Sequence, residues 1–484
     1  MNKKLVFQIM AKMMCIEGAL LFVPAVVSLF YAEWRVALSF SAVGAATIAV
    51  FFPITRIKPA NKDIFAKEGF VIVGSAWILW SLLGALPFFI SGDIPHYVDA
   101  FFETVSGFST TGSTILTDIE SLSRGALFWR SFTHWIGGMG VLVLVMVVLP
   151  VSDDRSSYLM QAEMPGPTFG KLVPKGRAMA TILYKIYCIL TLALVVLLLF
   201  GGMDLFDSLI HAFGTAGTGG FSDKNASIAA YDSVYIEIVI TIFMFLFSIN
   251  FTIFYLLLAK KFLDVWKNKE WKIFVGIVVA ATLLVTFSNR SLYGGSITTS
   301  FRYAAFQVTS IISTTGFTTA DFNQWPAFSK MMIILVMIIG ACAGSTGGGI
   351  KISRVVIMFK SFAREIKKML HPRSYNIIKV DGKKLDETAV SGVGVYLIIY
   401  VITICTGAVL ISLDGYDFET TLSSVLTCIS NVGPGFSLVG PVENFSLFSP
   451  FSKIILSFAM LLGRLEFWPL IILFAPSTWL RKNR

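Results

Sequence analysis

Thr110-Thr111-Gly112-Ser113-Thr114 decides the fold because it recurs, as Thr218-Gly219-Gly220-Phe221-Ser222, Thr314-Thr315-Gly316-Phe317-Thr318 and Asn431-Val432-Gly433-Pro434-Gly435. The central glycines are 108, 96 and 117 residues apart, a regularity that marks four copies of one unit. Each turn ends a short helix-like stretch and lies between two long apolar runs. Asp99, Asp207, Tyr303 and Thr420 stand thirteen residues before the four glycines, so the half-helix is expected to have one length in every copy. The unit reads as span, half-helix, loop, second span. One Thr/Ser/Gly cluster is an ordinary loop or a helix-packing motif; four at matched positions are not.

Outward from these turns the chain is strongly apolar. Of its 484 residues 55% are hydrophobic and 14% charged, with a mean hydropathy of +0.76. A soluble globular chain is excluded, since its surface needs nearer a quarter of charged residues. Ten apolar runs approach the roughly 20 residues a membrane-spanning helix requires: 6–31, 36–54, 69–91, 134–150, 179–201, 234–259, 273–287, 330–350, 390–412 and 452–475. Lys3 and Lys4 precede the first run, but it is longer than a secretory signal core and a second run follows, so both are read as retained helices. The expected organisation is an all-α polytopic membrane protein: two N-terminal helices over 1–60, then pore repeats over 61–178, 179–271, 272–383 and 384–484.

The Lys and Arg residues support the count of spans. They gather at 56–67, 155–177, 260–272, 351–373 and 481–484, in alternate loops, which places both termini on the cytoplasmic side by the positive-inside rule. The net charge of +10 is spread over these short loops, so no nucleic-acid surface is expected. Cys15, Cys188, Cys342, Cys405 and Cys428 are an odd set without disulfide spacing. His96, His134, His211 and His371 lack metal-ligand spacing, and no acid/base pair stands at helical spacing, so an enzyme built on Glu103, His134 or Arg464 is not supported.

The turn chemistry suits a monovalent cation. Non-helical backbone survives at membrane depth only where protein or a water-filled cavity satisfies its polar groups, so the turns mark a pathway. A dehydrated ion must replace its hydration with oxygens, and four strands of backbone carbonyls can supply a ring of them. Glycine permits the backbone angles that aim successive carbonyls at one axis. Half-helices whose C-terminal ends face the centre add partial negative charge there. A large, weakly hydrated cation such as potassium fits best.

A second feature interrupts the run 330–350: Gly340-Ala-Cys-Ala-Gly-Ser-Thr-Gly-Gly-Gly-Ile-Lys351. Gly344 and Gly349 have the spacing of a phosphate-binding loop, but Ile350 stands where lysine is required and no strand precedes it. Consecutive glycines here are expected to unwind a membrane helix into a mobile strand, or else to mark a tight helix crossing. Arg464 and Glu466 lie inside the last run, where a charge needs a cavity or a partner. Pairing with each other is one expectation, a fixed positive charge on the pathway another. Glu103 in the first half-helix either attracts cations or holds that half-helix.

These residues resemble the Trk/Ktr/HKT superfamily of potassium transporters, most closely its TrkH/TrkG branch, over nearly the whole chain. The resemblance rests on Ser106 to Thr114, Thr218 to Ser222, Ser313 to Thr319 and Asn431 to Phe436, and on the two additional N-terminal helices. It implies a potassium-binding filter at Thr110, Thr111, Gly112 and Ser113; Thr218, Gly219, Gly220 and Phe221; Thr314, Thr315, Gly316 and Phe317; and Asn431, Val432, Gly433 and Pro434. Glycine at all four centres is associated in the family with potassium preference. The resemblance also implies a gate formed by Gly344, Ser345, Thr346, Gly347, Gly348 and Gly349 with a pore-facing Arg464. It further implies a homodimer in a bacterial cytoplasmic membrane and a separate, cytosolic, TrkA-like nucleotide-sensing subunit. Candidate docking surfaces are Ala162 to Pro167 and the basic stretch from Lys360 to Arg373. No cofactor other than bound potassium is expected. The second and fourth turns depart from the Thr-Thr-Gly form, so the fourfold symmetry of the filter is approximate and its selectivity is expected to be weaker. Sodium or ammonium permeation by the same pore is one alternative, and ion-coupled potassium symport, which calls for an ionisable relay along the spans, is another.

Overall fold

The structure, a computed structural model, describes residues 2–57, 65–140, 176–373, 377–381 and 383–479. Half of the expected span 134–150 and the docking candidate 162–167 therefore lie outside the described residues. The N-terminal part comprises α1 (Lys3–Leu20), α2 (Phe22–Phe30) and α3 (Trp34–Thr55). Helices α1 and α3 cross at Gly18 and Gly44, where a Cβ on either would press on the other's carbonyl. Small residues let membrane helices pack at this range.

Four copies of the unit follow. Repeat 1 contains α4 (Ala66–Ser91), the short α5 (Tyr97–Phe108) and α6 (Arg124–Met139); repeat 2 contains α7 (Gly176–Phe200), α8 (Leu205–Gly217), α9 (Val234–Phe247) and α10 (Phe251–Leu258). After a connecting α11 (Phe262–Lys267), repeat 3 contains α12 (Lys269–Asn289), α13 (Ile297–Ile312), α14 (Ala327–Ile339) and α15 (Ile352–Leu370). Repeat 4 contains α16 (Glu387–Ile411), α17 (Phe418–Ser430), α18 (Pro450–Arg464) and α19 (Trp468–Phe474), with the short α20 (Pro476–Trp479) after it. Among the described residues the only strands form a two-residue antiparallel ladder, Lys379–Val380 against Lys383–Lys384.

The short helices α5, α8, α13 and α17 have 12, 13, 16 and 13 residues. At about 1.5 Å per residue none can cross a hydrocarbon core of about 30 Å, so each enters and turns back. Equal length fails in the third copy: α13 starts nineteen residues before Gly316, whereas the others start fifteen before their glycines. Its Ser296 hydroxyl accepts from the Thr299 amide and caps that earlier start.

The ten expected spans are not ten unbroken helices. Six described stretches are long and apolar enough to cross: the N-terminal two and the first helix of each repeat. Within the described residues the second helices of repeats 2, 3 and 4 are interrupted. Helix α6 ends at Gly140, α9 and α10 bend by 90° about Ser248–Asn250, α14 stops at Gly340, and α18 is parted from α19 at Leu465–Phe467. The glycines of the third repeat announced its break in the sequence, whereas averaged hydropathy passes over Ser248–Asn250 and Leu465–Phe467 because long apolar stretches flank them.

Candidate functional site

The four glycine turns meet. A Cβ on Gly112 would overlap the Gly219 carbonyl, one on Gly220 the Thr315 carbonyl, one on Gly316 the Val432 carbonyl, and one on Gly433 would sit 2.8 Å from the Thr111 carbonyl. Each central glycine thus faces the preceding residue of the next repeat, and the fourth closes on the first. Dihedrals repeat as well: Thr110, Thr218, Thr314 and Asn431 have φ of 56°, 55°, 59° and 54°, and the glycines 83°, 79°, 82° and 99°. Two left-handed residues separated by one ordinary residue form the turn. Side chains rarely tolerate such angles, and glycine alone does so at no steric cost.

One hydrogen bond recurs in each turn. The amides of Thr111, Gly219, Thr315 and Val432 donate to the carbonyls of Ser106, Gly214, Ser310 and Thr427, at 2.9, 2.8, 2.9 and 3.1 Å. Every short helix therefore hands its last turn to the loop in the same way. Ser109 shares a hydrogen with Thr111, and Ser313 with Thr315, both at 2.7 Å. Ser113 donates to the Gly433 carbonyl at 3.1 Å and ties the first turn to the fourth. Phe221 and Phe317 point into packing, Phe221 against His134 at 4.2 Å and Phe317 against His211 at 5.7 Å between ring centres. A cavity of about 120 Å³, lined among others by all four central glycines, lies on the side of the residues that follow them.

A buried ion pair holds this ring. The Arg130 Nε donates to Glu103 at 2.8 Å, its Nη1 donates to the Ser222 carbonyl at 3.1 Å, and its guanidinium lies 4.0 Å from the Phe221 ring centre. Glu103 also accepts from the Thr114 hydroxyl and the Ile115 amide. Glu103 is 1% exposed, so of its two readings the structure favours the one in which it holds the half-helix. Arg130 escaped the sequence reading because the span was started at residue 134, which left it in a supposed loop.

The glycine-rich segment packs against the opposite side of the ring. The Gly348 amide donates to the Thr314 hydroxyl at 2.7 Å, the Gly349 amide to the Ser430 carbonyl at 3.0 Å, and a Cβ on Gly347 would lie 2.9 Å from the Ser313 carbonyl. Positive φ at Gly340, Gly344 and Gly349 shows where glycine is required. The segment also satisfies the broken helix of repeat 2. Cys342 donates to the Ser248 carbonyl, Thr346 to the Phe247 carbonyl through its hydroxyl at 3.2 Å, and the Gly344 carbonyl accepts from Phe251. Ser345 closes a local turn on the Cys342 carbonyl at 2.6 Å.

Arg464 reaches this segment from repeat 4. It donates to the Thr346 carbonyl at 2.7 Å and to the Gly137 and Gly138 carbonyls, where α6 ends, at 2.6 and 2.8 Å. The expected pairing of Arg464 with Glu466 is not what Glu466 does: its carboxylate is held by Arg354. Lys351 and Arg354, grouped by sequence with the cytoplasmic cluster, are buried. The Lys351 ammonium donates to the Gly347 carbonyl at 2.8 Å, and Glu270 accepts from the Ala343 amide at 2.7 Å. Their signal was proximity to the glycines, which the count of loop charges overrode.

These features define a class: a polytopic membrane protein with four re-entrant turns on one axis, the architecture of proteins that move ions. Comparison with known proteins agrees. The TrkH family, described as cation transport protein, matches residues 41–482. The Trk system potassium uptake protein TrkH of Escherichia coli K12 is 34% identical over 99% of this chain and all of its own length, and TrkG of the same strain 33% over 94% of each. The crystal structure of the potassium transporter TrkH from Vibrio parahaemolyticus superposes with a TM-score of 0.87, at 31% identity, covering 99% of this chain and all of that one. The chain belongs to the TrkH family, a family of transporters and not of enzymes.

Proposed function

We propose that this chain is the membrane subunit of a Trk potassium uptake system, admitting potassium down its electrochemical gradient through the four glycine turns. The observation that carries the reading is the closed ring, in which each central glycine abuts a carbonyl of the next repeat. Potassium sheds water at the turns and is met there by the backbone oxygens of Thr110 to Ser113, Thr218 to Phe221, Thr314 to Phe317 and Asn431 to Pro434. Such oxygens compensate a weakly hydrated ion better than a small, strongly hydrated one. The segment Gly344 to Gly349 is the gate, because it is hydrogen-bonded to the third and fourth turns on the pathway, and Arg464 holds it there.

In this reading the repeats divide at about 61, 179, 272 and 384, both termini are cytoplasmic, and the membrane is that of a bacterial cytoplasm. The working form is a homodimer that binds a cytosolic TrkA-like subunit. Lys367 and Lys368, exposed at the end of α15, are the free part of the docking surface, since Lys360 is bonded to the Lys379 carbonyl and Arg364 to Glu387.

Rubidium uptake into potassium-loaded proteoliposomes tests the reading. External potassium should suppress uptake and sodium should leave it nearly unchanged; equal suppression by both would replace potassium selectivity with general monovalent-cation permeation. The alternative of sodium or ammonium passage has a discriminating variant, Gly112→Ser, which should narrow the potassium preference.

A further inference from the structure

The break in the last span contains two consecutive non-glycine residues with positive φ, Glu466 at 55° and Phe467 at 70°. Side chains seldom adopt such angles unless surroundings over-determine them, and here the surroundings can be named. Arg464, just before the break, reaches Thr346 in the glycine segment. Glu466 turns to the opposite end of that segment and takes the Arg354 guanidinium on both carboxylate oxygens. Phe467 is buried on the Tyr396 ring, 5.2 Å between centres, and that same ring lies 4.1 Å beneath the Arg354 guanidinium. Arg354 stands in the first turn of α15 and donates back to the Ile350 carbonyl at 3.1 Å.

We infer that Arg354 and Glu466 form a latch that positions the glycine segment beneath the ring. The inference rests on reading that segment as the gate. Two residues at one helix break grip it at two places: Arg464 at Thr346, and Glu466, through Arg354, at Ile350 and the start of α15. With the latch closed, α15 and the segment are fixed to repeat 4. With it open, α15 is free to swing from its junction at Lys351 and to draw Gly347–Gly349 away from Thr314 and Ser430. A bidentate arginine–carboxylate pair suits this role, because it is strong only in one geometry and is lost at once when the partners separate. Force applied to the cytoplasmic end of α15 reaches the segment through Arg354. Both residues are positioning residues and neither touches the ring.

The test uses the full chain in proteoliposomes without any partner. R354E and E466R should each raise basal rubidium uptake about tenfold, and the double variant R354E/E466R, which restores the pair with reversed charge, should return uptake toward the parent rate. Should a single variant fail to fold, the near-isosteric R354K and E466Q answer the same question: each keeps the side chain's bulk but loses the two-point arginine–carboxylate geometry, so basal uptake should still rise. Deletion of Gly347–Gly349 separates the two claims. If that deletion leaves uptake unchanged, the gate reading fails and the latch with it. If the deletion raises uptake but the single variants do not, or if charge reversal fails to rescue and R354K and E466Q leave uptake unchanged, the latch is overturned and the gate stands.

Discussion

The ring and the layer packed against it obey opposite rules. At the ring the four repeats share one backbone: the same pair of left-handed residues, the same amide bond back into the short helix, the same glycine against the neighbouring carbonyl. In the layer that holds the glycine segment the described helices follow no common pattern. Helix α6 ends at a glycine, α9 and α10 bend by 90°, the chain after α14 unwinds over Gly340–Lys351, and α18 parts from α19 at two strained residues. A dehydrated ion on an axis meets all four turns at once, so any one that deviates weakens the cage. A gate has no such requirement; one repeat can supply the moving part while the other three supply its contacts.

Substitutions can break that contrast, and the largest effect is expected where the ring is anchored. Arg130→Ala leaves Glu103 buried without its charge partner, which costs about 3–5 kcal/mol; a lower melting temperature in detergent and lost uptake are expected together. Glu103→Ala should match it. If Arg130→Ala instead melts as the parent does, the pair is not what secures the ring.

Alanine at the central glycines comes next. Gly112→Ala, Gly220→Ala and Gly316→Ala each drive a Cβ into a backbone carbonyl, and each adds left-handed strain of about 1–3 kcal/mol. Uptake should fall steeply in all three, with the potassium to sodium ratio falling in whatever remains. Gly433→Ala, with its nearest carbonyl at 2.8 Å, should be the mildest. An equal loss at all four positions would mean that strain, not the carbonyl contact, sets the effect.

Opposite in sign is Arg464→Ala, which removes the donor to Thr346 and to the end of α6. Basal uptake should rise without loss of ion preference, measured as rubidium entry with sodium as competitor. A fall in uptake would assign Arg464 to the ring and not to the gate.

The smallest effect sharpens the comparison most. Thr110 and Thr314 occupy equivalent places, but the Thr110 hydroxyl donates to the adjacent Ser109 carbonyl whereas the Thr314 hydroxyl accepts from the Gly348 amide of the glycine segment. Thr314→Val should weaken gate closure by about 1 kcal/mol, the worth of one hydrogen bond, seen as a several-fold rise in basal uptake. Thr110→Val should leave basal uptake unchanged. Equal behaviour would show that the third turn carries no gate contact.

What was legible from sequence follows the same division. Gly112, Gly220, Gly316 and Gly433 could be found because repetition exposes them and because a left-handed turn narrows the choice of residue. The glycine segment could be found for the second reason alone. Glu103 was visible as an ionisable group in an apolar stretch, yet its role was not, since its partner Arg130 lies 27 residues away on a helix that begins earlier than hydropathy suggests. Glu466 was visible too and was assigned the nearest cation, Arg464, whereas its partner is Arg354, 112 residues away.

By itself the sequence determined that this chain is a four-repeat membrane protein, where its turns lie and which residues in them must be glycine. Local periodicity, apolar length and backbone sterics act within a few residues and leave their record there. Only the tertiary structure decided that the turns close in the order 1, 2, 3, 4, that α9 and α10 meet at a right angle, and that Arg130, Arg354 and Arg464 each reach across to another repeat. A buried charge takes whichever acceptor the packing brings within about 3 Å, and packing is not written in the residues that flank it.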